Sequence, residues 1–250
     1  LTLPPWLVAA ACALIVTACA TASGQTKKDV AKANVQLGTE YLQQGRLGLA
    51  LDNLEKAVKA DPSSPTAHAM IAMLYARLGR DGAADDSHRL AVEWVSADTP
   101  DYGMVHNNYG TYLCDHARWA EAEEHFLAAA KSRLYETPEA AYENAGLCAL
   151  KAGQVQVAEG HFRSALALKP DMTRPLFQMA QIHYDTRRYL LARAFLQRLE
   201  VATQINAPGA WLGLQIEEAL GDKEAVQRYA LTLKGRFPDS DETKLLIKPN

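Results

Sequence analysis

An all-α solenoid of stacked helical hairpins is the fold this sequence predicts, on two observations. The stretch from His106 to Pro170 holds one pattern twice. Gly110, Ala122, Phe126 and Ala129 return as Gly146, Ala158, Phe162 and Ala165, each 36 residues on, and Cys114 returns as Cys148, displaced by two. A period of this size marks helix–turn–helix repeat arrays. From Ala31 onward, alanine- and leucine-rich amphipathic segments are broken at short intervals by Gly or Pro, which is how a chain of short helices is punctuated.

Composition bounds what such an array does. The 250 residues are 48% hydrophobic and 22% charged, as in ordinary globular proteins, and the length suffices for about six units of a 34-residue repeat. Net charge is −3 with both signs dispersed. No basic block points to nucleic acid and no acidic tail to a polycationic partner.

The N-terminus is different in kind. The first 18 residues carry no charge, and Trp6 to Val16 is an apolar run of 11. A membrane span needs about 20 residues, so the run suits a signal-peptide core. Val16-Thr17-Ala18-Cys19 then resembles the bacterial lipobox. In that class of signals the Cys receives a diacylglyceryl group, the peptide is cut before it, and the new amine is acylated. The competing reading is an ordinary signal peptide with an incidental Cys. Ala20, after the cysteine, is the pattern that lipoprotein sorting sends to the outer membrane. The basic residue usual before such a core is absent. Residues 1–18 are therefore expected to be a lipoprotein signal peptide and Cys19 the lipidated residue. Several acyl chains hold a protein firmly where one is marginal. Thr21 to Lys28 is small and polar, and residues 19–30 are expected to form a flexible tether.

The solenoid is expected over 31–238, with repeats at about 31–64, 65–98, 103–136, 139–172, 173–206 and 207–238. The residues fit the tetratricopeptide pattern: small at positions 8, 20 and 27, bulky at 11 and 24, Pro at 32. Small residues let two antiparallel helices approach, and bulky ones fill the gaps beside them. Repeat 1 has Gly38, Tyr41, Gly45, Ala50, Leu54, Ala57 and Pro62. Ser64-Pro65 supplies a cap and a first-turn proline for the next helix. Repeat 2 has Ala72, Tyr75, Gly79, Ala84, His88 and Ala91, then an insertion around Asp98 to Asp101. Repeat 3 has Gly110, Leu113, Trp119, Ala122, Phe126 and Ala129. Thr137-Pro138 opens repeat 4, again as cap plus proline, with Gly146, Ala149, Gly153, Ala158, Phe162, Ala165 and Pro170. Repeat 5 is degenerate, with Ala180, His183, Tyr189, Ala192, Leu196 and Leu199. Repeat 6 has Gly213, Ile216, Ala225, Tyr229 and Phe237-Pro238. The array is expected to coil as a right-handed superhelix, with 239–250 as a C-terminal cap, since solenoid ends need a polar outer face.

Catalytic chemistry is nearly empty. The seven histidines scatter without HExxH, and there is no GxSxG and no P-loop. The protein is not expected to be an enzyme or to bind a small-molecule substrate, and no cofactor beyond the lipid on Cys19 is expected. Zinc is disfavoured because Cys114 and His116 point about 200° apart around one helix. Two readings remain for Cys114 and Cys148. Neighbouring first helices would bring them near each other, and an oxidising compartment favours a disulfide. Alternatively both are small buried thiols filling the core.

Binding is the chemistry left. First helices line the groove of such solenoids at positions 2, 5, 6, 9, 12 and 13. Asn107, Asn108, Thr111, Asp115, Glu143, Asn144, Gln181, Tyr184 and Asp185 fall at or near these places. Asparagine amides in a groove can bond a peptide backbone as both donor and acceptor. Asn108 and Asn144 could instead simply tie adjacent helices or loops.

Three stretches go beyond a generic repeat: NNYGTYLC at 107–114, YENAGLCALKAG at 142–153 and WLGLQIEEALGDKEAVQRYALTLKGRFPDS at 211–240. They resemble the PilF/PilW family of type IV pilus biogenesis lipoproteins over nearly the whole chain. The resemblance implies an outer-membrane lipoprotein with its solenoid in the periplasm. Its implied role is that of a pilotin, helping the pilus secretin reach the outer membrane and multimerise there. It also implies a cysteine pair at Cys114 and Cys148. The alternative is a general periplasmic scaffold lipoprotein for cell-wall enzymes or outer-membrane protein assembly.

Overall fold

The computed structural model describes residues 26–247. The signal peptide expected at 1–18, the lipidation site Cys19 and the tether as far as residue 25 lie outside the described residues. Among the described residues there are thirteen helices and no strand. They are α1 (26–43), α2 (Leu47–Ala60), α3 (Pro65–Arg77), α4 (Asp81–Trp94), α5 (Asp101–Asp115), α6 (Trp119–Lys131), α7 (Pro138–Lys151), α8 (Val155–Leu168), α9 (Thr173–Asp185), α10 (Tyr189–Ala202), α11 (Ala207–Leu220), α12 (Lys223–Arg236) and α13 (Asp241–Ile247). Six consecutive pairs followed by one short helix is the all-α repeat fold that the sequence predicts.

The first and second helices of each pair bury different amounts of surface. The second helices bury one narrow stripe: Ala50, Leu54 and Ala57 in α2, Ala122, Phe126 and Ala129 in α6, Ala192, Leu196 and Leu199 in α10. This i, i+4, i+7 spacing is one face of a helix. The first helices bury more, as α11 does with Ala207, Gly209, Ala210, Leu212, Gly213, Leu214, Ile216 and Glu217. They are packed from two sides, with α3 against both α4 and α5. Small residues make that packing possible. A β-carbon on Gly38 would lie 2.6 Å from Leu54, and one on Gly213 would lie 2.5 Å from Tyr229.

One turn closes the pairs. Its central residue is left-handed each time: Gly45 (φ 72°), Gly79 (68°), Ala117 (59°), Gly153 (74°), Arg187 (59°) and Gly221 (77°). In five of these turns the next residue donates its N–H back to the preceding helix, as Arg46 does to the Tyr41 carbonyl (2.9 Å) and Arg188 to that of His183 (2.8 Å). This is the Schellman arrangement, which satisfies carbonyls that the helix leaves open.

Three local expectations meet different outcomes. Ser64 caps α3 by accepting from the Ala67 N–H, with Pro65 in the first turn. Thr137 makes no such bond, although Pro138 does open α7; its backbone, at φ −130° and ψ 57°, is outside the usual extended geometry of a capping residue. The tether was expected to run to residue 30, but 26–30 are already helical and wholly exposed. A helical turn that is exposed throughout leaves no apolar period to read, although its Lys27 and Lys28 favour helix.

The chain forms two compact units. Unit 1 contains α1 to α5 as far as His116, together with Ser132–Tyr135; unit 2 contains Ala117–Lys131 and the chain from Glu136. Tyr135 belongs to the first because its ring covers Gly103. Unit 1 has cores around Leu42, Leu54, Ile71 and Leu74 and around Ala69, Ala91 and Val105. Unit 2 has one continuous core from Ala149 to Leu233. At its end α13 packs on α11 and α12, burying Thr243, whose hydroxyl donates to the Phe237 carbonyl at 2.8 Å.

Candidate functional site

In unit 1 the first helices α3 and α5 lie side by side, and the surface between them is a cleft of about 480 Å³. Its lining is Met73, Ala76 and Arg77 from α3, His88 from α4, and Asn108, Thr111, Tyr112, Asp115 and His116 from α5. Three of the groove residues expected from sequence, Asn108, Thr111 and Asp115, are brought together here. Asn107 lies half-buried one residue before Asn108, and its carbonyl accepts from the Thr111 hydroxyl at 3.0 Å. The Asn108 amide contacts the Met104 sulfur at 3.2 Å.

Aromatic stacking makes the floor rigid. The His88 ring lies 5.1 Å from Tyr109 and 5.1 Å from Tyr112, and Tyr112 lies 4.1 Å from His116. Hydroxyl bonds fix both tyrosines: Tyr109 donates to Asp85 at 3.0 Å and Tyr112 to the Asp81 carbonyl at 2.8 Å. Arg77 is turned back, donating to the Leu42 carbonyl at 3.0 Å and closing the end of α1. His116 Nδ1 is 2.8 Å from the Tyr112 carbonyl and its Nε2 is 3.4 Å from Asp81. An apolar floor with amide, hydroxyl and carboxylate groups along one wall matches an extended peptide, whose backbone needs donors and acceptors and whose side chain needs a dry seat.

Met73, Ala76 and Arg77 were not among the residues expected from sequence. The signal was present: they stand at positions 9, 12 and 13 of repeat 2, the same positions that single out residues of repeats 3 to 5. The looser match of repeat 2 to the pattern obscured it.

Within unit 2 the remaining groove residues fall on α7 and α9. Glu143 is paired with Arg174 at 2.9 Å. Gln181 donates to Asp185 at 2.9 Å. Tyr184 is half-buried against Tyr189, 5.8 Å between rings, and burial pushes its hydroxyl pKa above the ordinary value. Asn144 is half-buried and not alone, as it keeps an interaction of its own. Glu143 thus pairs with α9, whereas the Gln181 bond stays within its own helix.

Known proteins carry the same architecture. Residues 38–79 match the model of the TPR repeat, and residues 109–173 match that of the tetratricopeptide repeat. The chain is 30% identical over 234 residues to the type IV pilus assembly protein PilF of Pseudomonas aeruginosa, covering 91% of each. It belongs to the PilF family. A solved structure of Pseudomonas aeruginosa PilF superimposes with a TM-score of 0.75, covering 88% of this chain and 98% of that one. The structure of PilW, a widely conserved type IV pilus biogenesis factor, gives 0.74 at 28% identity, covering 88% and 99%.

As a PilF-family chain, the molecule has its two described cysteines, Cys114 on α5 and Cys148 on α7, both disulfide-bonded. No described helix is long and apolar enough to cross a membrane. Among the described residues no group of three or more His, Cys, Asp or Glu side chains is placed to hold a metal ion.

Proposed function

We propose that this PilF-family protein is an outer-membrane lipoprotein that acts as a pilotin, localising the type IV pilus secretin and promoting its multimerisation by binding and not by catalysis. A lipid on Cys19 holds it at the inner leaflet, and the repeats project into the periplasm. The observation that supports this reading best is the α3–α5 cleft, with its stacked aromatic floor and its wall of Asn108, Thr111 and Asp115. Kinship to PilF and PilW makes a pilus component the first candidate for what enters it. The same reading pairs Cys114 with Cys148. A non-reducing peptide map should then recover one linked fragment holding both, and two freely alkylated thiols in unreduced, unfolded protein would exclude it.

Recovery of secretin with the purified protein, and loss of that recovery on Thr111→Arg, tests the role. Recovery of cell-wall enzymes in its place would favour the general scaffold. Cys19→Ala should leave the protein off the outer membrane and reduce secretin multimers there. Unchanged multimer location and unchanged twitching would count against the lipid's part in the mechanism.

A further inference from the structure

His183 is a position where the repeat pattern expects a bulky apolar or aromatic residue, and an ionisable ring stands there instead. It is 1% exposed. Its ring stacks on Phe195 of α10 at 5.2 Å and 27°. Its Nε2 faces Glu159 of α8 at 4.0 Å. Its Nδ1 is buried and has no hydrogen-bond partner among the described residues.

The charges around the ring do not welcome another cation. Among the described residues Glu159 is the one carboxylate acting on the ring, and it is already held by two guanidiniums. Arg188, ahead of α10, reaches its two oxygens at 2.8 and 3.4 Å, and Arg163 of α8 reaches it at 2.5 Å. Arg163 and Arg188 disfavour a charged imidazole and Glu159 favours it, while burial is the largest influence against it. A protonated ring would also leave an Nδ1–H buried without an acceptor, which costs the desolvation of that group.

We propose that His183 is an acid-sensitive joint: protonating it loosens the packing of α8, α9 and α10 and releases the groove wall that carries Gln181 and Tyr184. The sign follows from linkage. The folded state holds the imidazole neutral below the pH at which an unfolded histidine charges. The stability this gives is complete above about pH 6.5 and declines as pH falls below it, until the folded imidazole itself takes up a proton. The bacterial periplasm, where the proposed function sets the repeats, is open to the acidity of the medium. The joint itself holds whether or not a secretin is the partner.

Hydrogen exchange of the purified full-length protein at pH 7.5 and 5.5 tests it, each rate corrected for intrinsic exchange. Opening of α9 amides should rise in the wild type by up to about tenfold between the two values, the limit set by an unfolded histidine charging near pH 6.5. It should not rise in His183→Leu or His183→Gln, and α2 and α12 should not respond. An equal rise in wild type and variants, or one spread evenly over the helices, overturns the proposal. Should both variants misfold, the His183 ring can be titrated by NMR in the wild type. Titration at or above the ordinary histidine value overturns the proposal, and titration below it accompanied by exchange broadening in α8 to α10 supports it.

Discussion

Gly146 of α7 sits so close to the ring of Phe162 in α8 that a β-carbon there would lie 2.5 Å from Cε1. Phe162 is 0% exposed, so its ring has no space to retreat into. Gly146→Ala should therefore destabilise the protein by about 2–3 kcal/mol, the scale of overpacking in a filled core. Phe162→Leu in the same chain should recover part of that loss. Gly160→Ala is the control: nothing lies within 4 Å of its β-position, and the substitution should stabilise α8 by about 0.5–1 kcal/mol through helix propensity. Urea denaturation measures all three.

Arg187 is the residue at which one left-handed turn lacks its glycine, with φ at 59°. A side chain in this region costs about 1–2 kcal/mol, and a glycine gives part of that back as lost chain entropy. Arg187→Gly should stabilise the protein by about 0.5–1 kcal/mol, and Gly153→Ala, at φ 74°, should cost about 1 kcal/mol. A thermal midpoint that falls for Arg187→Gly would contradict the first.

Arg193 of α10 grips Glu217 of α11 with both ends of its guanidinium, the Nε–Oε1 bond measuring 2.9 Å. The Glu217 side chain is only 5% exposed. Removing Arg193 strands the Glu217 carboxylate away from water, whereas Arg193 itself is 28% exposed and keeps Asp222 at 3.5 Å. Arg193→Ala should cost about 3 kcal/mol, whereas replacing both by apolar residues, Arg193→Met with Glu217→Leu, should cost much less. A double-mutant cycle separates the pair from its surroundings.

Hydrogen bonding from Arg188, with the charges of Arg188 and Arg163, holds the Glu159 carboxyl below the usual carboxylate range. Its contribution is thus complete above the pKa of an unfolded Glu and is lost as pH falls through the folded value. Glu159→Gln should be less stable than wild type at pH 6, and the two melting curves should converge as pH falls through the folded value, which lies below the unfolded one near about 4.3. Curves that stay parallel over that range would show that the ion pair adds nothing.

The fold was legible because its signal is steric. Small residues such as Ala50 and Ala122 and bulky ones such as Phe126 stand at fixed spacings, and only close helix contacts explain that. The N-terminal edge of α1 was not legible, because its first turn, 26–30, is exposed throughout and shows no apolar face. The site was half legible. Thr111 and Asp115 could be placed from helix phase alone. The seat beneath them, Met73 and Ala76, comes from another repeat, and recognising it required the lateral packing of α3 on α5. The Glu159–Arg188 and Arg193–Glu217 pairs left no trace, since a surface charge and a buried one look alike in a sequence until the helix that covers it is in place.

An array of repeats has no intrinsic length: any pair can be copied and its neighbours will still find a matching face. At the C-terminal end α13 removes that freedom. It occupies the face of α11 and α12 on which a seventh pair would be laid, with Thr243 locked to Phe237 beneath it. Extension by duplication at this end must first evict α13, whereas duplication inside the array need not. The same closure denies the last pair to another copy of the chain, so end-to-end polymers, the ordinary hazard of a modular stack, have no purchase there.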